Sequence, residues 1–197
     1  NPFASPAIIT TWATPSSCSI YATTPIDDNG ALTERTLLDL TKRTIYSAID
    51  LVRDAGRLGY LKPMFDRHII EKISYNEQLR VGKDFDFLLR AVMRYGDVAV
   101  YPEMGYLYRE RHGSLSREAA SQALEAMIVA DQRFRTEHHI DNTLLAALDR
   151  RLQAMSTRLH WEYVKTCLRQ RRFAKAFRAI LVHPRVICHA VDSYRLR

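Results

Sequence analysis

The sequence predicts an α+β protein, mostly helical, and three observations carry that prediction. Apolar residues recur at i, i+3, i+4 and i+7 over several stretches, most persistently beyond His112, which is the period of helices that each bury one face. Asp97 to Pro102 and Gly105 to Arg111 are instead rich in Val, Tyr and Leu and bounded by Gly or Pro, as strands are. Between the two classes stands Gly82-Lys83-Asp84-Phe85-Asp86, where a glycine able to turn the backbone precedes an amphipathic helix through Phe85, Leu88, Leu89 and Val92.

Taken in order, residues 1–30 are rich in Thr, Ser, Pro and Ala and give a loop or one short strand near Ala7 to Trp12. Pro25-Ile26-Asp27-Asp28-Asn29-Gly30 is a turn by its chemistry, since Asp and Asn bond their own backbone and Gly accepts positive φ. Leu37, Leu40, Ile45, Ala48, Ile49 and Val52 trace a helical face from Leu37 to Val52, ending before Gly56 and Gly59. A second helix is expected from Pro63 to Lys72, with proline at its first position.

After the Asp84 helix, closed by Gly96, come the two extended runs and then only helices. Ser114 or Ser116 caps one through Ala123, Leu124, Met127, Ile128 and Phe134, and Asp141 caps a longer one from Leu144 to Tyr163. A third carries Phe173, Phe177, Ile180 and Leu181 and is stopped by His183-Pro184, and the last carries Val186, Ile187, Ala190 and Val191. These stripes need a surface to bury against: the front half, each other, or a second copy.

Composition narrows the class of function. An apolar fraction of 47% with only seven glycines and seven prolines excludes collagen-like and low-complexity material. The net charge of +7 favours anionic partners, and the positive charge gathers toward the C-terminus at Arg150-Arg151, Arg169 to Arg172, Lys175, Arg178 and Arg185. A solvated helix face explains most of it, with a membrane surface as the second reading. No nucleic-acid partner is expected, because no zinc spacing, aromatic RNA-binding motif or helix-turn-helix pattern accompanies the charge. Cys18, Cys167 and Cys188 are widely spaced, without C-x-x-C, which points to reduced thiols and a cytoplasmic compartment. No apolar run reaches the roughly 18 residues of a membrane span, so the expectation is a soluble protein or one peripheral at the inner membrane.

Three segments are then informative together: Gly59-Tyr60-Leu61-Lys62-Pro63-Met64-Phe65-Asp66-Arg67, Ile73-Ser74-Tyr75-Asn76-Glu77-Gln78-Leu79-Arg80-Val81-Gly82-Lys83-Asp84-Phe85, and Tyr106-Leu107-Tyr108-Arg109-Glu110-Arg111-His112-Gly113-Ser114-Leu115-Ser116. In this order they resemble the acceptor-side half of family 2 glycosyltransferases, GT-A enzymes of the kind that build bacterial exopolysaccharides. The resemblance covers residues 55 to 120 and, loosely, the helical remainder. It implies a partial GT-A catalytic domain over 1–115, with few strands, followed by a C-terminal helical region over 116–197. For the intact protein it implies a hexosyltransferase that inverts the sugar's anomeric centre, moving it from a nucleotide-diphospho-sugar to a saccharide or lipid-linked acceptor.

Carried over by position, Asp84 takes the place of the family's catalytic base. Arg109, Arg111 and His112 fall near the leaving nucleoside diphosphate, and Ser114 is a further phosphate contact. A divalent metal, Mg or Mn, is implied for the intact enzyme, with ligands that are not in this chain. Asp84-Phe85-Asp86 has the letters of the family's metal motif but opens a helix and coincides with the base. Lys83 departs from the family, which has a second acid there, and the family's nucleotide pocket has no counterpart here. The chain thus resembles the C-terminal portion of a transferase.

Each of these residues also has a structural reading. Asp84 can be a plain helix cap, Asp86 a solvent-facing acid or a partner of the helix dipole, Arg109 and Arg111 the wet face of a sheet edge, and His112-Gly113-Ser114 a turn. His138-His139 is a neighbouring pair whose rings diverge rather than converge on a metal. The rival function is a catalytically silent helical assembly module derived from a glycosyltransferase. Homodimerisation through the C-terminal helices and peripheral membrane contact are the partner expectations.

Overall fold

The sheet is built on Cys18–Ile26 (β1), a segment whose Thr and Ala content conceals a strand with Cys18 and Ile20 buried. The computed structural model describes residues 18–27, 29–32, 41–54, 62–109 and 120–195. β1 pairs in parallel with Val98–Arg109 (β4) and antiparallel with Lys62–Phe65 (β3), while Thr44–Tyr46 (β2) lies antiparallel on the far side of β4. The order of the four-stranded sheet is β2-β4-β1-β3. Seven helices complete the described residues: Ala48–Arg53 (α1), Arg67–Ile70 (α2), Lys83–Tyr95 (α3), Ala120–Glu137 (α4), Asn142–Arg169 (α5), Phe173–Val182 (α6) and Arg185–Arg195 (α7). The architecture is α+β and mostly helical, as predicted.

Several boundaries differ from expectation, each for a physical reason. The expected helix from Leu37 to Val52 starts only at Ala48 among the described residues, because Ser47 and Asp50 form a reciprocal capping box and Thr44-Ile45-Tyr46, β-branched and aromatic, pairs with β4 instead. The expected helix from Pro63 to Lys72 is a strand followed by one helical turn. Proline fits β3 because β3 is an edge strand, and Asp66 caps α2 by accepting from the His68 amide.

The two expected extended runs are one strand, β4. Register shifts opposite Tyr21, Ala22 and Thr23 absorb extra β4 residues, and Pro102 falls beyond the stretch that β2 covers, where its missing N–H leaves no ladder bond unmade. Gly105 sits against β1 so closely that a Cβ there would come within 2.5 Å of the Tyr21 Cβ. The predicted turn after β1 is present, with the Asp27 carboxylate accepting from the Asn29 and Ala31 amides at 2.9 and 2.8 Å. The Asp141 cap is also present, accepting from Thr143 and Leu144 at 2.8 Å each, and α6 ends at His183-Pro184. The expected strand near Ala7 to Trp12 and the Ser114 or Ser116 cap lie outside the described residues.

The core joins both halves of the chain. Leu88 and Val92 of α3 pack on Cys18, Ile20, Val98 and Val100 of the sheet. On another face, Leu89 of α3 and Val52 of α1 meet Phe134, Leu144, Ala147 and Leu148 of α4 and α5. Amphipathic α3 is thus clamped between sheet and helices, and its first turn is held at the junction.

Candidate functional site

That first turn is where the local sequence concentrates charge. Gly82 is the N-cap of α3 with φ 85°, a left-handed conformation that glycine adopts without strain, and it has no side chain with which to cap the helix. A Cβ there would lie 3.0 Å from Met127 Cγ of α4, so the glycine also allows close approach of the two segments. Asp84 and Asp86 follow in the first turn.

The two acids have different fates. Asp86 is partly buried rather than solvent-facing: its Oδ2 accepts from Arg90 Nη2 at 2.7 Å and Nε at 3.0 Å, and the same Nη2 donates to the Ser74 carbonyl at 2.8 Å. It therefore ties α3 to the segment before it. Asp84 is exposed, and among the described residues no hydrogen bond or ion pair engages its carboxylate. It is not the helix cap, since Gly82 holds that position.

Tyr75 stands beside Asp84. Its ring stacks on Phe87 with centroids 4.6 Å apart and remains 51% exposed, so an aromatic surface borders the free acid. Partial burial pushes its phenol above the usual tyrosine value, and the Asp84 charge pushes it further in the same direction. The turn is braced from behind by Arg151 of α5, whose Nε donates to Asp131 of α4 at 2.7 Å with both side chains nearly dry. The Arg151 guanidinium also lies 4.0 Å from the Phe85 ring centroid. Burial pushes the Asp131 carboxyl above its usual range, and Arg151 opposes that shift without cancelling it.

Arg109 ends β4, exposed and in register with Ile26. Asp84 opens α3, which packs on the sheet through Leu88 and Val92, whereas Arg109 stands at the far end of β4 from the residues those two side chains meet, Val98 and Val100. Arg111, His112 and Ser114 lie outside the described residues.

Among the described residues no group of three or more His, Cys, Asp or Glu side chains could hold a metal ion, and Asp86 of the Asp84-Phe85-Asp86 triplet is committed to Arg90.

Fold and site together define an α+β chain in which Asp84, with no hydrogen-bond or ion-pair partner among the described residues, stands next to an exposed tyrosine at the mouth of a braced helix. Among curated proteins, the chain is 31% identical over 141 residues to Succinoglycan biosynthesis protein ExoO of Rhizobium meliloti (strain 1021), a match spanning 71% of this chain and 40% of that protein. It is 28% identical over 131 residues to Succinoglycan biosynthesis protein ExoU of the same organism, spanning 66% of this chain and 38% of that protein. The chain thus spans about two fifths of the length of these curated relatives. No family model matches it, and no solved structure does. No helix among the described residues is long and apolar enough to cross a membrane.

Proposed function

We propose that this chain is the acceptor-side portion of an inverting glycosyltransferase of exopolysaccharide synthesis, of the GT-A type and family 2, with Asp84 as its general base. The reading is supported by the order of the three sequence segments and by similarity to two proteins named for succinoglycan biosynthesis. One observation carries the assignment of the base: of the two acids in the first turn of α3, Asp86 is tied to Arg90, whereas no hydrogen bond or ion pair among the described residues engages Asp84.

In the proposed reaction Asp84 accepts the proton of an acceptor hydroxyl as that oxygen bonds to the anomeric carbon of the donor sugar. The bond from that carbon to the diphosphate oxygen breaks, and the nucleoside diphosphate leaves with the electron pair. Arg109, Arg111 and His112, with Ser114, would offset the charge that grows on the leaving group. Tyr75 offers an apolar ring face against which the acceptor sugar can rest, next to the base. The nucleotide pocket, and the ligands of Mg or Mn if the intact protein uses one, would come from residues outside this chain.

The acceptor would be met at the cytoplasmic face of a membrane. Phe173, Phe177, Leu181, Ile187 and Val191 are each 46–65% exposed on α6 and α7, with Lys175, Arg178 and Arg185 exposed beside them. An apolar face set among cations suits an anionic lipid surface. The same face is what favours the second reading, a silent module that uses it to pair with another copy. Transfer of labelled sugar from nucleotide-sugar donors to membrane acceptors by the full-length protein separates the two. Donor-dependent label in the lipid-linked or polysaccharide fraction supports the enzyme. No transfer with any donor, together with a concentration-dependent dimer lost on Phe177→Glu, would favour the module.

A further inference from the structure

Further along α3 from Asp84, a cavity of about 440 Å³ opens where Arg90, Met93 and Arg94 meet the segment after α2 and the link between α4 and α5. Its polar wall is Lys72, Arg90, Arg94, His138 and His139, with Ser74, and no acidic side chain lines it. Ile73 and Met93 supply apolar floor. Among nearby acids, Glu71 pairs with Arg67, Glu137 with Arg133, Asp141 caps α5, and Asp86 reaches the wall through its pair with Arg90.

Three of the basic groups are held in place rather than free to sweep. Arg90 is fixed by Asp86 and the Ser74 carbonyl. The Arg94 guanidinium lies 5.5 Å from the Tyr95 ring centroid. His138 stacks on Phe134 with centroids 4.2 Å apart and its Nδ1 donates to the Phe134 carbonyl at 3.1 Å, leaving Nε2 as its second polar atom. A concave site lined by Lys72 and Arg94, by the Asp86-paired Arg90, by two imidazoles and by one hydroxyl is complementary to a group with several oxygen acceptors. Its volume falls in the range of about 300–1,000 Å³ usual for small-molecule sites, which is larger than inorganic phosphate requires.

We propose that this cavity binds an organic phosphate: a phosphate ester carrying a small polar substituent, presented either as a free metabolite or as a phospholipid headgroup. Arg90, Arg94 and Lys72 would contact the phosphate oxygens. Neither Asp84 nor Tyr75 lines the cavity, and its binding of phosphate does not depend on whether the chain transfers sugar.

The test uses the full-length protein titrated calorimetrically with glycerol 3-phosphate, and in parallel mixed with phosphatidylcholine vesicles with and without phosphatidylglycerol. Lys72→Ala and Arg94→Ala, both at exposed positions, are compared with Arg158→Ala, also exposed, on α5. Saturable glycerol 3-phosphate binding weakened about tenfold by each cavity variant and unchanged by Arg158→Ala supports a free-metabolite site. Retention on phosphatidylglycerol vesicles alone, weakened by the cavity variants, supports a headgroup site. Binding that falls equally in all three variants reflects net charge only and overturns the proposal, as does the absence of any binding sensitive to Lys72 or Arg94. Because Arg90 also holds α3, it is left intact, and unchanged melting curves confirm that the variants fold.

Discussion

Replacing Arg151 with methionine tests the bracing of the α3 mouth. Arg151 and Asp131 have side chains only 12% and 9% exposed and meet at 2.7 Å, so the substitution leaves a carboxylate with no cation in a nearly dry place. Breaking one partner of such a pair costs about 3–5 kcal/mol, and loss of the guanidinium from the Phe85 ring adds to it. Methionine keeps the aliphatic stem, which limits the packing loss. We expect a loss of about 3–4 kcal/mol at pH 7, read from urea unfolding. The sign of its pH dependence follows from Asp131. Burial holds that carboxyl above its ordinary 3.8 even with Arg151 present, and removing the cation raises it further.

A group that binds its proton more tightly folded than unfolded costs stability as pH rises through that window and ceases to do so below it. The Arg151→Met deficit should therefore shrink on acidification from pH 7 toward pH 4. Adding Asp131→Leu to Arg151→Met should recover most of the loss at pH 7, since neither charge is then stranded. A deficit under about 1 kcal/mol at pH 7, the scale of a surface pair, would refute the reasoning, as would one that does not change with pH.

Gly82→Ala should cost at least about 1–2 kcal/mol, from the left-handed φ and from the approach of its Cβ to Met127, and Gly82→Asn less, because Asn tolerates that conformation; urea midpoints with an unchanged slope check both. Cys188 should be alkylated rapidly at pH 8, whereas Cys18, buried and with its thiol pushed up to about 12, should resist until the chain unfolds, as mass spectrometry of iodoacetamide-treated protein would show.

Local chemistry made much of the fold legible. Gly82 before the Phe85 to Val92 stripe, the Asp141 cap and the His183-Pro184 stop each act within a few residues, and each stands where the sequence put it. β1 was hidden because Cys18-Ser19-Ile20-Tyr21-Ala22-Thr23 becomes a strand through pairing with β4, some eighty residues away. Thr44–Tyr46 fits a helical period for the same reason, and Pro63 suits a helix start because nothing local says that its strand is an edge.

At the site, the i,i+4 spacing of Asp86 and Arg90 could have revealed their pairing, and with it which acid remains available. Tyr75 against Phe87 and Asp131 against Arg151 could not have been found this way, since both depend on how distant segments pack.

The direct test of Asp84 as general base is transfer by the full-length protein carrying Asp84→Asn, measured in a single turnover alongside donor affinity. Asparagine keeps the size of the side chain and cannot take the proton. Transfer should fall by about 10²–10⁴-fold while the donor dissociation constant stays within about twofold. Turnover within about threefold of the unmodified protein, with donor binding intact, would contradict the assignment.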